Sequence, residues 1–292
     1  MKLKKGYTLA HEHMIIDLSA VKGSDDCNLN CFSETVKELK QLYDSGVRNI
    51  IDMTCLGMGR DLQYIKNLQQ EVDINIILPT GFYKEPFLPV DVYSKSIEEL
   101  ADILIEEITE GIADSGLKAN IIAEIGTSKN NWTTLEKKIF EAAVIAHKKT
   151  GVPISTHTSL GTLIEQQTDF FIANDIAAEK VVIGHTDLSG DILAIKQAIN
   201  KGFYVGFDTI GKNNYFPDEK RVEFLKILQD EGLLNRVLLS MDITRKSNLK
   251  YQGGIGYNYL FEVFVPMLKE AGITDQSIEL MLVENPMRLF SE

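Results

Sequence analysis

At 292 residues, with 44% hydrophobic and 25% charged side chains, the chain has the apolar material for a full core and the length of one large domain, 1–292. A net charge of −12 excludes a general nucleic-acid surface, because a polyanion is repelled by most of such an exterior; an anionic ligand has to be met by a local basic cluster. Three cysteines are too few and too odd in number for a disulfide framework, and no apolar stretch approaches the roughly 20 residues of a membrane helix, so the chain reads as a cytoplasmic protein away from membranes.

Strand and helix patterns alternate from the start. Tyr7–His13 is predicted as the first strand, and its two histidines at i and i+2 point to one side. Cys27 and Cys31 follow, without the second pair that a Cys₄ or Cys₂His₂ site needs. A helix is predicted over Ser33–Tyr43, stopped by Gly46, then a strand over Val47–Thr54 and a helix from Asp61 to about Gln70. Ile74–Thr80 is the third strand, leading into a loop with Tyr83 and Pro86. Ile97, Leu100, Ala101, Leu104, Ile105 and Ile108 form one apolar helical stripe, and the acids on the other face, Glu107 among them, read as solvated.

Asn120–Ile125 is a nearly continuous apolar strand interrupted by one charge, Glu124. Thr133 and Glu136 form a capping box for a helix running to about Lys149. Pro153–His157, Val181–His185, Phe203–Asp208 and Arg236–Asp242 are strands five to eight, with helices near 162–174, 191–201 and 217–229 between them. Two more helices, near 259–270 and 275–283, close the chain. Short strands apolar on both faces, each followed by a helix, indicate a parallel sheet covered by helices; eight units in this length predict an α/β fold, a closed (β/α)8 TIM barrel.

In such a barrel the C-terminal strand ends converge on one mouth. His11 and His13, Glu124, His157, His185 and Asp242 therefore meet, while His147 falls inside a helix and reads as a surface or packing residue. A charge such as Glu124 in a strand buried on both faces has to be paired or metal-bound. Six donors exceed one tetrahedral zinc and suit two divalent ions, zinc first, with manganese, cobalt or iron as the other candidates, roughly 3.5–4 Å apart.

The segments LAHEH, IIAEIGT, ISTHT, VIGH and LSMD together resemble the phosphotriesterase family of the amidohydrolase superfamily, over essentially the whole chain and most closely its phosphotriesterase homology branch, whose bridging residue is a glutamate. The resemblance implies that His11, His13 and Asp242 hold the more buried metal, that His157 and His185 hold the more exposed one, and that Glu124 bridges them. A bridging hydroxide, formed near neutral pH, would attack the substrate, with Asp242 as the catalytic general acid/base. Asp52, Met53 and Thr54 have no ligand role in the family and read as structural. Organophosphate specialists in the family carry a histidine after the strand-seven aspartate; here Asp208 is followed by Thr209, which argues against phosphotriesters as the natural substrate.

Beyond the mouth, Lys212 follows strand seven, and Arg245 and Lys246, with Lys250 and a glycine-rich stretch read as flexible, follow strand eight. Lys212 and Arg245 on an acidic protein point to an anionic small-molecule substrate, and the resemblance agrees, because some relatives open phosphorylated sugar lactones with similarly placed cations. Tyr83 is read either as a contact at the metal or as packing against Pro86 and Phe87. A phosphorylated sugar lactone is the leading expectation for substrate, against an aryl-ester or phosphotriester hydrolase and a non-catalytic metal-binding sensor barrel. The resemblance implies that homodimers are common; the chain itself carries no interface signal.

Overall fold

In the computed structural model, which describes residues 3–290, the strands alternate apolar side chains between two cores. Leu9, Ile50, Ile76, Ile122, Ile183, Val205 and Leu239 face outward to the helices. Ala10, Ile51, Ile77, Ile121, Ala123, Val182, Tyr204 and Leu238 face inward, and Leu289 plugs the bottom of that inner core. This period-2 division across strands buried on both faces is what a closed barrel requires.

The strands are β1 (Tyr7–Glu12), β2 (Val47–Asp52), β3 in two pieces (Asn75–Ile77 and Pro79–Thr80), β4 (Ile121–Thr127), β5 (Ile154–Thr158), β6 (Val181–Gly184), β7 (Tyr204–Phe207) and β8 (Val237–Leu239). All of their pairings are parallel. The predicted third strand is divided because its first piece ladders with β2 and its second with β4, and Pro79, at the changeover, has no N–H to donate. Outside run α1 (Phe32–Asp44), α2 (Leu62–Glu71), α3 (Ile97–Thr109), α4 (Thr134–Thr150), α5 (Ile164–Ala173), α6 (Ile192–Asn200) and α7 (Asp218–Asp230). The capping box expected at Thr133 and Glu136 is formed, and Ser96 and Glu99 form a second one. Both closing helices contain a π-helical turn, Leu260–Phe264 and Leu280–Glu284, which the apolar periodicity did not signal.

Two expectations on the outside are corrected. Glu107 is not on a solvated face: it is buried and takes both ends of the Arg60 guanidinium at 3.0 and 2.6 Å. The glycine-rich stretch after strand eight is tied down, with Tyr257 fully buried and its N–H donating to Glu38 at 2.8 Å. His147 packs as expected, its Nδ1 2.7 Å from the Val152 carbonyl.

β1 and β8 do not ladder with one another. The seam is closed by a side chain together with one backbone bond, from the Asp242 N–H to the His11 carbonyl at 3.3 Å. The fully buried Glu12 carboxylate accepts from Ser240 Oγ at 2.8 Å, from Met241 N–H at 2.9 Å and from Ile243 N–H at 3.0 Å. Because Glu12 takes the amides that a neighbouring strand would have used, β8 ends at Leu239, three residues before the predicted end at Asp242. Glu12→Gln keeps the shape but presents an NH₂ to donors, so at least one N–H is left unpaired. We expect a loss of about 2–4 kcal/mol in urea-unfolding stability; a midpoint unchanged from wild type would show that the seam does not depend on this carboxylate.

Candidate metal centre

Irregularities in the strands aim the donor side chains. The β1–β2 register shifts between Leu9 and Glu12, and the β4–β5 register shifts between Ile122 and Ile125, so His11 and Glu124 both lie where the regular pleat is broken. His13 sits one residue past the end of β1. Its Nδ1 lies 2.9 Å from Thr54 Oγ1 and its carbonyl accepts from the Tyr257 hydroxyl, which leaves Nε2 facing the mouth. His185 and Asp242 follow β6 and β8 in the left-handed region, with φ of 56° and 55°. Non-glycine residues adopt that conformation at a cost and are found there at functional sites more often than elsewhere.

The six predicted donors converge. His157 Nδ1, His185 Nε2 and His11 Nε2 lie 2.8, 3.4 and 3.5 Å from Glu124 Oε1, and His13 Nε2 lies 3.6 Å from Oε2. Asp242 Oδ1 is 3.3 Å from His13 Nε2 and 3.7 Å from His11 Nε2. Separations of 3.3–3.7 Å are long for hydrogen bonds. They match the spacing of ligand atoms around a common ion, since two donors each about 2.1 Å from a metal at a tetrahedral angle lie roughly 3.4 Å apart. Both ring nitrogens of His11 are buried without a hydrogen-bond partner, a costly state that a cation would relieve at the nitrogen carrying the lone pair. Two groups, His11–His13–Glu124 and Glu124–His157–His185, could each hold an ion and share Glu124.

A supporting layer went unread in the sequence. Asp208 accepts from the His185 N–H at 2.9 Å, lies 2.7 Å from its Nδ1 and reaches His11 Nδ1 at 3.5 Å, so His185 Nε2 is left facing Glu124. Gly206 makes room for it: a Cβ there would lie 2.1 Å from Asp208 Oδ2. Beneath this lies Arg221, fully buried, which binds Asp187 at 2.6 Å, Asp218 at 2.9 Å and the Thr209 hydroxyl at 2.8 Å. The Thr209 hydroxyl also bonds Asp187, so the side chain after Asp208 is committed to this ion network rather than to a proton relay. Asp52, expected as structural, accepts from the Met14 and Thr54 N–H groups.

Above the donors is a cavity of about 450 Å³ lined by Tyr83, Lys212 and Arg245 together with Lys22, Leu160 and Tyr215. Lys212 Nζ bonds Asp242 Oδ2. Arg245 lies 3.5 Å from Asp26, which also takes the Ser247 N–H and hydroxyl at 2.8 Å each and so fastens the first loop to the last. Tyr83 is buried with its hydroxyl 3.4 Å from His157 and its ring against Phe87, so it packs and faces the centre at once. Lys246 and Lys250 turn away to Asp25 and Glu262.

The profile of the Phosphotriesterase family matches residues 2–290. The chain belongs to the phosphotriesterase family. It is 48% identical over 285 residues to the Phosphotriesterase homology protein of Escherichia coli, covering 98% of both, which sets it in that branch of the family. The crystal structure of that relative, complexed with phosphate in its active site, superposes with a TM-score of 0.96 at 47% identity, covering 98% of this chain and 99% of the other. The Aryldialkylphosphatase of Saccharolobus solfataricus is 31% identical, covering 98% of this chain and 95% of its own. A lactonase from Listeria monocytogenes superposes with a TM-score of 0.93 at 25% identity over 100% of this chain and 99% of that one. The shared fold is the (β/α)8 barrel.

Protonation of the donors makes metal binding pH-dependent. Burial pulls His11 and His185 down, but the charges of Asp208 and Glu124 outweigh it and raise both, His185 well above the ordinary imidazole value. Burial and the neighbouring His185 lower His157 to about 4, so it is neutral at physiological pH. A metal ion has to displace the proton on His185, and it competes with protonation of His11. Affinity should therefore rise as pH rises toward their folded pKa values, with proton release on binding at pH 7. Calorimetric titration with zinc in two buffers of different ionisation enthalpy checks this; equal apparent enthalpies in both would contradict it.

Proposed function

We propose that this chain is a binuclear metal-dependent hydrolase of ester bonds, carrying zinc and opening a cyclic ester that bears an anionic group, with a phosphorylated sugar lactone as the substrate. The observation that carries the reading is the Glu124 carboxylate with a nitrogen of three imidazoles within 3.5 Å of one oxygen, beside a histidine with no other partner for either nitrogen. His11, His13 and Asp242 would hold one ion, His157 and His185 the other, and Glu124 would be shared. When bound, two such ions supply a nucleophilic hydroxide at neutral pH and draw electron density from the substrate's carbonyl oxygen.

The protein's own groups do the rest. Asp242 is held well below the ordinary carboxylate range, against burial, by Lys212 and His13, so it enters the reaction ionised. It would take the proton given up by the attacking hydroxide and pass it to the alkoxide that leaves as the ester C–O bond breaks. An ammonium has three donors, and Lys212 keeps two for substrate while one serves Asp242. Arg245 offers a planar fork to an anionic oxygen group, and the Tyr83 hydroxyl orients substrate beside His157. Phosphate in the active site of the Escherichia coli relative supports an anionic ligand, and the Listeria lactonase supports the lactone class. Unpaired Cys27, Cys31 and Cys55 suit a reducing cytoplasm, and among the described residues no helix is long and apolar enough to cross a membrane.

A phosphotriester or aryl-ester reading is favoured by the relative named Aryldialkylphosphatase. It is weakened by Thr209, which is bound to Asp187 and Arg221 and supplies no relay. A pH-indicator screen of zinc-loaded protein separates the two. It would pair sugar lactones with and without a terminal phosphate and add one phosphotriester and one aryl ester. We expect turnover of phosphorylated lactones at least tenfold above the rest, on the order of one charge-assisted contact. Faster turnover of the phosphotriester would overturn the assignment.

A further inference from the structure

Three cations line the cavity, and they differ in what already neutralises them. Lys212 is bonded to the Asp242 carboxylate, and Arg245 has Asp26 at 3.5 Å. Lys22 has no carboxylate partner among the described residues. It ends the short helix Ser19–Lys22, which sits within the first loop between two paired strand pieces, Ile16–Asp17 and Asn28–Leu29. The same loop lends Ile16 and Leu18 to the cavity wall.

The Lys22 ammonium sits 5.7 Å from the centroid of the Phe87 ring, and the Lys84 ammonium 5.5 Å from the same centroid. Lys84 is anchored by donating to the Glu85 carbonyl at 3.1 Å and is half-buried. Burial lowers its pKa, the charge of Glu136 opposes that, and the charge of Lys22 adds to the lowering. Two ammonium groups lie on one aromatic ring and repel one another; carboxylates of Glu136 and Glu124 act on Lys84, whereas Lys22, the exposed one, lines the cavity with no carboxylate within ion-pair distance among the described residues. In a chain of net charge −12 a carboxylate partner would have been easy to supply.

We propose that Lys22 is a specificity-determining contact, receiving the anionic oxygen group of the substrate, phosphate or carboxylate, where the first loop lines the cavity. The inference rests on the reading of the substrate as anionic and adds a residue from the first loop to those from the last two. Because Lys22 has no carboxylate to give up, its attraction for an incoming anion is undiminished, whereas Arg245 has to share with Asp26.

The test uses zinc-loaded wild type, Lys22→Gln and Lys22→Arg, in two measurements. In steady-state kinetics, the preference for a phosphorylated over an unphosphorylated sugar lactone should fall about tenfold in Lys22→Gln, through KM rather than kcat, and return in Lys22→Arg. In calorimetry, which needs no turnover, the advantage of 6-phosphogluconate over gluconate should fall by the same factor. An unchanged preference in Lys22→Gln, or an equal loss on both members of each pair, overturns the role of Lys22. If wild type turns over no lactone yet Lys22→Gln weakens 6-phosphogluconate alone, the lactone assignment fails and the anion contact stands. If wild type binds both sugar acids equally, the anionic reading and the Lys22 inference fail together.

Discussion

A single buried carboxylate organises this protein. Glu124 interrupts an otherwise apolar strand at 2% exposure, where an unpaired charge would cost several kcal/mol. Everything around it answers that cost. Imidazoles from three strands reach its oxygens, and the charge of His11, together with the close approach of the His11, His157 and His185 nitrogens, holds it well below the ordinary glutamate range against its own burial. The price is charge density: four histidines and three carboxylates packed within a few ångströms have to share protons, or share metal ions in their place.

The rest of the barrel keeps that cluster in register. Glu12 closes the seam between the first and last strands and leaves the chain after β8 free to bend, so that Asp242 arrives in a left-handed turn beside His13. On the other flank Arg221 gathers Asp187, Thr209 and Asp218, which follow β6 and β7, into one buried ion network. Removing one partner from such a network costs about 3–5 kcal/mol, so these loops are held at their bases while their tips carry Lys212 and Tyr215 to the cavity. The floor of the site is thereby fixed.

How much of this was legible depended on whether a residue contradicted its local pattern. Glu124 inside IIAEIGT and histidines at successive strand ends have no ordinary local explanation, so the donor set and the barrel emerged together. Glu12 was hidden by sitting between two more conspicuous histidines, and its partners lie more than 225 residues away. Arg221 lies inside the helix predicted near 217–229 with no pattern to single it out, and Glu107 reads as one more acid in an acidic stripe; only tertiary contact with Asp187 and Arg60 distinguishes either from a solvated side chain. Asp208 was visible as a strand-end aspartate, but its bond to His185 depends on the space left by Gly206, a fact of shape and not of pattern. The end of the last strand was misjudged because the Glu12 carboxylate takes the Met241 and Ile243 N–H groups in place of a ladder.

The central claim is that Glu124 lets two ions share one site, and metal stoichiometry tests it most directly. The protein would be stripped with chelator, reloaded with zinc and freed of excess, and its zinc counted per chain by plasma mass spectrometry, wild type beside Glu124→Gln. Two ions per chain in wild type and at most one in the variant is the result this account predicts. The same zinc content in both proteins would contradict it.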